Sequence, residues 1–337
     1  MSVCLRTCMH RCITCMHIAY TLRTRCDEKI PGLTSKMSNA AIRIRVVDGS
    51  VANVDWRRGA KAGDLLLAAC RDAGLSNASA KHFALARERE PRRPARVYAD
   101  DDEIDVADVD CLVLRKWIPI DTISIERKLA NRDDVALRLL FHEARDDVER
   151  GKLRPSDDQI AELESYCDPA FPVQKQYLFL CHELNGYATI ELTRCRLAEP
   201  VVLDADDRRR LEKGLRVKLT VAKTGLEISR DFDDVGERLL FVVWQRIRRW
   251  RTSTDDGETF GYEVRLGSGN FVWVLLETDQ AFYVCTVVQT ITGQLKKEFD
   301  GPESFLARPL GESSSSSKSF RNQLFSGVGK DCDFSEI

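Results

Sequence analysis

The spacing of apolar residues changes period twice along the chain, and those changes restrict the folds open to it. Residues 42–56, IRIRVVDGSVANVDW, alternate apolar and polar side chains around Asp48-Gly49, the signature of a β-hairpin. Leu65, Leu66, Ala69, Cys70 and Ala73 then fall at helical spacing, and Gly74 supplies a stop. HFALARERE and DCLVLRKW read as further strands on either side of an acidic stretch, Asp100 to Asp110. Hairpin, helix and later strands make a ubiquitin-like plan. From Asp133 the period becomes helical: Val135, Leu139, Leu140, Ala144 and Val148 share one face of a helix ending at Gly151. Ser156 and Gln159 form a capping box before a second helix. PAFPVQKQYLFLCHELNGY reads as a third, closed by Asn185-Gly186. Strand patterns resume after Tyr187: RVKLTVAKTGLEIS turns near Thr224-Gly225, and RLLFVVWQRIRRWRTS, FGYEVRL and NFVWVLLET follow as strands. Gly267 to Asn270 joins the last two. AFYVCTVVQTITGQLKKEF closes the series as one amphipathic helix carrying Phe282, Val287, Val288, Ile291 and Leu295. A β-sandwich closed by one helix is the pleckstrin-homology plan.

At 337 residues, with 43% hydrophobic and 31% charged residues, the chain has the composition of a folded globular protein. Its net charge of -2 supplies no global field for nucleic acid or anionic membrane, so any basic site has to be local. The 12 cysteines form two populations. Cys70, Cys111, Cys167, Cys181, Cys195 and Cys285 lie scattered, mostly within apolar runs, as small hydrophobes suited to a reducing, intracellular setting. Cys4, Cys8, Cys12, Cys15 and Cys26 crowd an acid-free segment containing Arg6, Arg11, Arg23 and Arg25. Three readings stand there: a zinc site of Cys12 and Cys15 with His10 and His17, an organelle transit peptide, or a disordered leader before a start at Met37. The leader reading is favoured. No apolar run reaches the roughly 18 residues of a spanning helix. A Ser run near the C-terminus marks residues 301–337 as a flexible tail.

Specific stretches narrow this outline. LVLRKW, LLFHEARDDVERGKL, RIRRWRTS and WVLLETDQAFYVCTVVQTITGQL are similar to the FERM-like module of the sorting nexin family, in its sorting nexin 17 branch. NQLFSGVGKDCDF is similar to the Asn-x-x-Phe-x-Gly-x-Gly plus acidic ending of the same branch. The resemblance covers residues 41 to 300 and the tail. It implies an α+β multidomain, FERM-like three-lobe module: a ubiquitin-like lobe over 39–118, a helical acyl-CoA-binding-protein-like lobe over 119–187 and a PH/PTB-like lobe over 188–300. Residues 1–38 form the leader and 301–337 the flexible tail. It further implies a non-enzymatic endosomal adaptor that binds Asn-Pro-x-Tyr or Asn-x-x-Tyr signals in receptor tails and engages the retriever complex through its own tail. The phox-homology domain that precedes this module in the family has no counterpart in residues 1–40.

The resemblance places cargo-peptide contacts at Trp250, Arg249, Arg251, Val288, Ile291, Thr292 and Lys296. It places the C-terminal partner motif at Asn322, Phe325, Gly327, Gly329 and the apolar end Ile337. Thr292 and Lys296 stand where the family has apolar residues. Strand parity puts Arg246, Arg248 and Trp250 on one face and Arg249 and Arg251 on the other. The residues alone favour Trp250 as a core side chain and the arginines as a solvated face guarding an edge strand, and the resemblance reverses that preference. A second reading of the module is a phosphoinositide-binding membrane-cytoskeleton linker or signalling scaffold, with Lys152, Lys175 and Arg246 to Arg251 as its basic patch. No HExxH, GxSxG, Walker or CxxxxxR motif occurs. His142 and His182 stand without evident partners, and Asp133-Asp134 and Asp146-Asp147 read as solvated helix faces. The expectation is no enzyme, no cofactor and no metal.

Overall fold

The computed structural model describes residues 40–91, 93–166, 173–203, 210–231, 237–253, 258–266 and 269–300. Strands β1 (Ala40–Val46) and β2 (Val51–Trp56) form the hairpin, with Gly49 at φ 86° and Asp48 Oδ1 accepting from the Ser50 amide at 2.9 Å. Helix α1 (Ala62–Asp72) and a short α2 (Asn77–Ala80) lead into β3 (Phe83–Glu90), β4 (Arg93–Val97) and, after a 3-10 turn, β5 (Leu112–Lys116). The sheet order is β2-β1-β5-β3-β4, with β1 and β5 parallel.

Helices α3 (Thr122–Ala130), α4 (Asp134–Glu149), α5 (Asp157–Ser165) and α6 (Gln174–Cys181) follow. Asp133 caps α4, accepting from Val135 and Ala136, and its second oxygen accepts from the Ser76 amide at 3.0 Å. That carboxylate thus ties the helices to the first sheet. The tie extends inward, because Ile44, Leu65 and Leu114 belong to one continuous buried cluster with Leu139, Leu140 and Leu178. Helix α6 is shorter than its apolar text suggests; the chain leaves it at His182 and turns through Gly186 at φ 86°.

The second sheet contains β6 (Ile190–Leu197), β9 (Arg216–Ala222), β10 (Gly225–Arg230), β11 (Arg238–Val243), β12 (Ile247–Thr252), β13 (Thr259–Arg265) and β14 (Phe271–Glu277). Two-residue strands β7 (Val201–Val202) and β8 (Arg210–Leu211) pair separately. The order is β11-β10-β9-β6-β14-β13-β12, and α7 (Ala281–Asp300) packs across β12 and β13. RLLFVVWQRIRRWRTS is therefore not one strand. Trp244 is 5% exposed and its indole N–H donates to the carbonyls of Ala222 and Lys223, at 3.1 and 2.9 Å. Anchored there, the chain makes a 3-10 turn over Trp244–Arg246, and its two halves end at opposite edges of the sheet. In α7 the core is met by Ala281, Val284, Val287, Val288 and Ile291, whereas Phe282, expected on that face, points outward at 37% exposure.

Helix α7 also meets the first sheet. Tyr283 packs with Trp117 against Ala84, Ala86 and Val97, the Gln280 amide donates to the Pro94 carbonyl, and Arg93 pairs with Asp279. Cys70, Cys181 and Cys195 lie in the cores, as small hydrophobes do, and burial pushes the Cys70 and Cys195 thiols up to about 11. Among the described residues, no helix is long and apolar enough to cross a membrane.

Candidate functional site

Strand β12 ends the order of the second sheet, so one of its edges carries no strand among the described residues. Antiparallel pairing fixes which groups face that edge. The Ser253 amide donates to Thr259 O at 2.9 Å, so Arg249, Arg251 and Ser253 turn their backbone groups toward β13. Trp250 and Thr252 consequently present theirs to the open side. An open edge with aligned N–H and C=O groups is what an added peptide strand pairs with.

On the inner face, Trp250 stands opposite Tyr262, which is fully buried, and packs half-exposed against the core cluster. Helix α7 borders this face. Thr292 is 9% exposed and its hydroxyl donates to the Val288 carbonyl at 2.7 Å, and Lys296 and Leu295 are half-buried one turn on. Val288 and Ile291, at 0% and 1%, are enclosed in the core and line no open groove, a correction to their assignment as peptide contacts. The valine and isoleucine hold the helix against the core, and Trp250 is the half-exposed side chain on the inner face at the open edge.

Arg249 and Arg251 lie on the other side of the sheet. Arg249 donates to both carboxylate oxygens of Glu263, at 3.0 and 3.2 Å, and both guanidinium groups stack on Trp273, at 5.2 and 4.5 Å. The structure also corrects the parity of Arg248. A bulge shifts the register between Ile247 and Arg249, and Arg248 joins the outer face, pairing with Glu263 at 3.6 Å and covering Phe271 at 5.0 Å. Arg246 lies in the 3-10 turn instead of on the strand. Trp273 and Glu263 had a signal in the alternation of NFVWVLLET and FGYEVRL; the bulge had none.

Elsewhere a cleft of about 990 Å³ lies where the two sheets and the helices meet, lined by Arg93, Lys116, Lys152, Arg194, Lys218 and Tyr283 among others. Its cations are locally paired: Arg93 with Asp279 at 2.6 Å, Lys152 with Asp147 at 2.6 Å, Arg194 with Glu90 at 3.1 Å and Lys218 with Glu191 at 3.3 Å. Lys175 lies on α6 over Phe179. Lys152 lines the cleft from the turn after α4, whereas Lys175 on α6 and the β12 arginines do not line it.

Of the acids expected at solvated helix faces, Asp134 is exposed in the first turn of α4, and the other three are buried. Asp146 and Asp147 are each 8% exposed, and Asp133 is the cap described above. His182 does have a partner: its Nε2 lies 3.0 Å from Glu126 in a fully buried pair, reinforced by Lys116 at 2.9 Å and by the Tyr187 hydroxyl. The cysteine-rich segment, Cys167, and the tail motif of Asn322, Phe325, Gly327, Gly329 and Ile337 lie outside the described residues.

No protein-family model matches the chain. Among solved structures, a mutant MyTH4-FERM MF2 domain of Dictyostelium discoideum myosin VII is similar at TM-score 0.51 and 14% identity, over 76% of this chain and 61% of that one. A second structure of that domain gives TM-score 0.47 and 15% identity over 76% and 58%. The C-terminal MyTH4-FERM domain of human myosin 7b, solved in complex with the harmonin-a PDZ3 domain, gives 0.48 and 9% over 77% and 60%. The chain spans about three-fifths of the length of these structures. The mixed α+β fold is thus FERM-like, and at such identities the likeness is one of fold.

Proposed function

We propose that this protein is a non-enzymatic cargo adaptor of the sorting nexin 17 family, built as three FERM lobes. It binds Asn-Pro-x-Tyr or Asn-x-x-Tyr motifs of receptor tails at the open edge of β12, by strand addition beside α7. On this reading it acts in the cytoplasm, peripherally on early and recycling endosomes, and its C-terminal tail engages retriever. The observation that carries the proposal is the open β12 edge with Trp250 half-exposed on the α7 side: backbone groups supply affinity there and a rigid aromatic supplies an anchor. Arg249 and Arg251, on the outer face, are placed to meet side chains that alternate to that side of an added strand. The phosphoinositide-linker reading is less favoured, because the residues assigned to it do not converge.

The test is calorimetry of the full chain against an Asn-Pro-x-Tyr receptor-tail peptide. Saturable binding that disappears when the tyrosine is replaced by alanine is expected; folded protein that binds neither peptide removes the adaptor reading. The retriever arm is tested separately. A chain ending at Ser319 should keep its melting temperature and lose capture of retriever, and undiminished capture would place the contact outside the tail.

A further inference from the structure

We propose that a cavity beside the start of α3 is the docking site for this chain's own residues 301–306, the segment that follows α7. The inference depends neither on the open β12 edge nor on what that edge binds.

The cavity has a volume of about 660 Å³, within the range of sites that enclose a ligand or a pair of side chains. Half-buried Pro119 and Ile123 and exposed Ala188 form its apolar wall, and Arg127, Lys128 and Lys223 bring cations to it. Arg127 and Lys128 are exposed, and neither has a carboxylate partner among the described residues; Arg127 instead stacks on Phe179 at 5.2 Å. The chemistry asked of an occupant is therefore large apolar side chains accompanied by an acid.

The end of α7 points to which chain supplies them. Lys223, in the turn between β9 and β10, donates to Asp121 at 2.9 Å and pairs with Glu298 at 3.6 Å. Glu298 stands in the last turn of α7, so the helix delivers the chain to the cavity wall. The sequence then runs Gly301-Pro302-Glu303-Ser304-Phe305-Leu306, outside the described residues. Glycine followed by proline is a helix stop, Glu303 complements the cations, and Phe305 and Leu306 are the first large apolar residues after α7. The chain from Asp300 to Phe305 can reach at most about 18 Å. A group on so short a tether has an effective concentration in the millimolar range, well above that of a second copy or a foreign peptide in dilute solution. Docked, the segment ties the helix of the second sheet to α3 and starts the rest of the tail there.

The test uses the full chain with p-benzoylphenylalanine in place of Phe305. Irradiation should cross-link position 305 to residues 119–128 within a species of single-chain mass. Chymotrypsin gives the second readout, on the chain with Phe305 intact. A188W fills the cavity from an exposed position and should speed cleavage after Phe305 by about tenfold, the protection that burial of one such side chain provides. K128E should speed it by about two- to fivefold by repelling Glu303. Unchanged melting curves of both variants are the control for folding. No cross-link, or one mapped elsewhere, overturns the proposal. A cross-link confined to a species of twice the mass overturns it too, and assigns the cavity to a second copy. Folded A188W and K128E proteins cleaved after Phe305 at the rate of the unaltered chain would also overturn it.

Discussion

Glu126→Ala is expected to cost about 3 kcal/mol of folding stability, because it removes the nearest carboxylate of a buried charge set and leaves Lys116 with Glu143 at 3.9 Å. Glu126 is fully buried on α3, with Lys116 of β5 at 2.9 Å, His182 at 3.0 Å and the Tyr187 hydroxyl on the same carboxylate. Burial by itself would push this carboxyl up. The Lys116 charge and the hydrogen bonds from His182, Tyr187 and Lys116 outweigh that effect and hold it at about 2, against an ordinary value of 4.5. Lys116 shows the same balance in mirror image: burial lowers its pKa, and Glu126 and Glu143 raise it further. A carboxyl depressed on folding contributes stability that is complete above its unfolded pKa and is lost as pH falls toward the folded one. Urea denaturation should therefore show stability falling between about pH 4.5 and pH 2 in the native chain. That part of the slope should be missing in Glu126→Gln. A loss below about 1 kcal/mol for Glu126→Ala would mean that water enters and solvates Lys116, contrary to the closed packing.

Trp250→Ala should weaken receptor-tail peptide binding by about 30-fold or more, the scale of an aromatic anchor at the centre of an interface. Because Trp250 also packs against the core, loss of binding in that variant has to be separated from loss of packing. Thr252→Pro makes the separation. The Thr252 amide faces the open edge, so proline there removes a donor that only an added strand would use and leaves the pairing with β13 in place. A drop of about tenfold with an unchanged melting temperature would locate the peptide on this edge. Full affinity in Thr252→Pro, with affinity lost in Trp250→Ala, would mean that the peptide uses the tryptophan without extending the sheet.

The two sheets and the helices between them were legible because burial on one face imposes period 2 or 3.6 on the apolar residues, whatever the tertiary setting. The hairpin at Asp48-Gly49, the helix from Asp134 and the capping box at Ser156 are local in this sense, and the structure forms each of them. Trp250 was legible as an anchor only through resemblance, since its own alternation favours a core side chain. The remainder depended on partners distant in the chain. RLLFVVWQRIRRWRTS reads as one strand, but Trp244 finds the carbonyls of Ala222 and Lys223, and the break it imposes sends β12 to the edge where its backbone stands open. The bulge at Arg248 reverses that residue's face, and no neighbour in sequence announces it.

Glu126 and His182 lie 56 residues apart, and each alone reads as a helix-surface residue. Only packing of α3 against the end of α6 places them together away from water, where a charge has to find a partner. Local spacing thus determined which segments became strands and helices, because that pattern answers to a single apolar face. The tertiary structure decided which edge remained open, which face gathered the arginines and which charges were buried, because each of these depends on the separation of groups that the chain brings together only when folded.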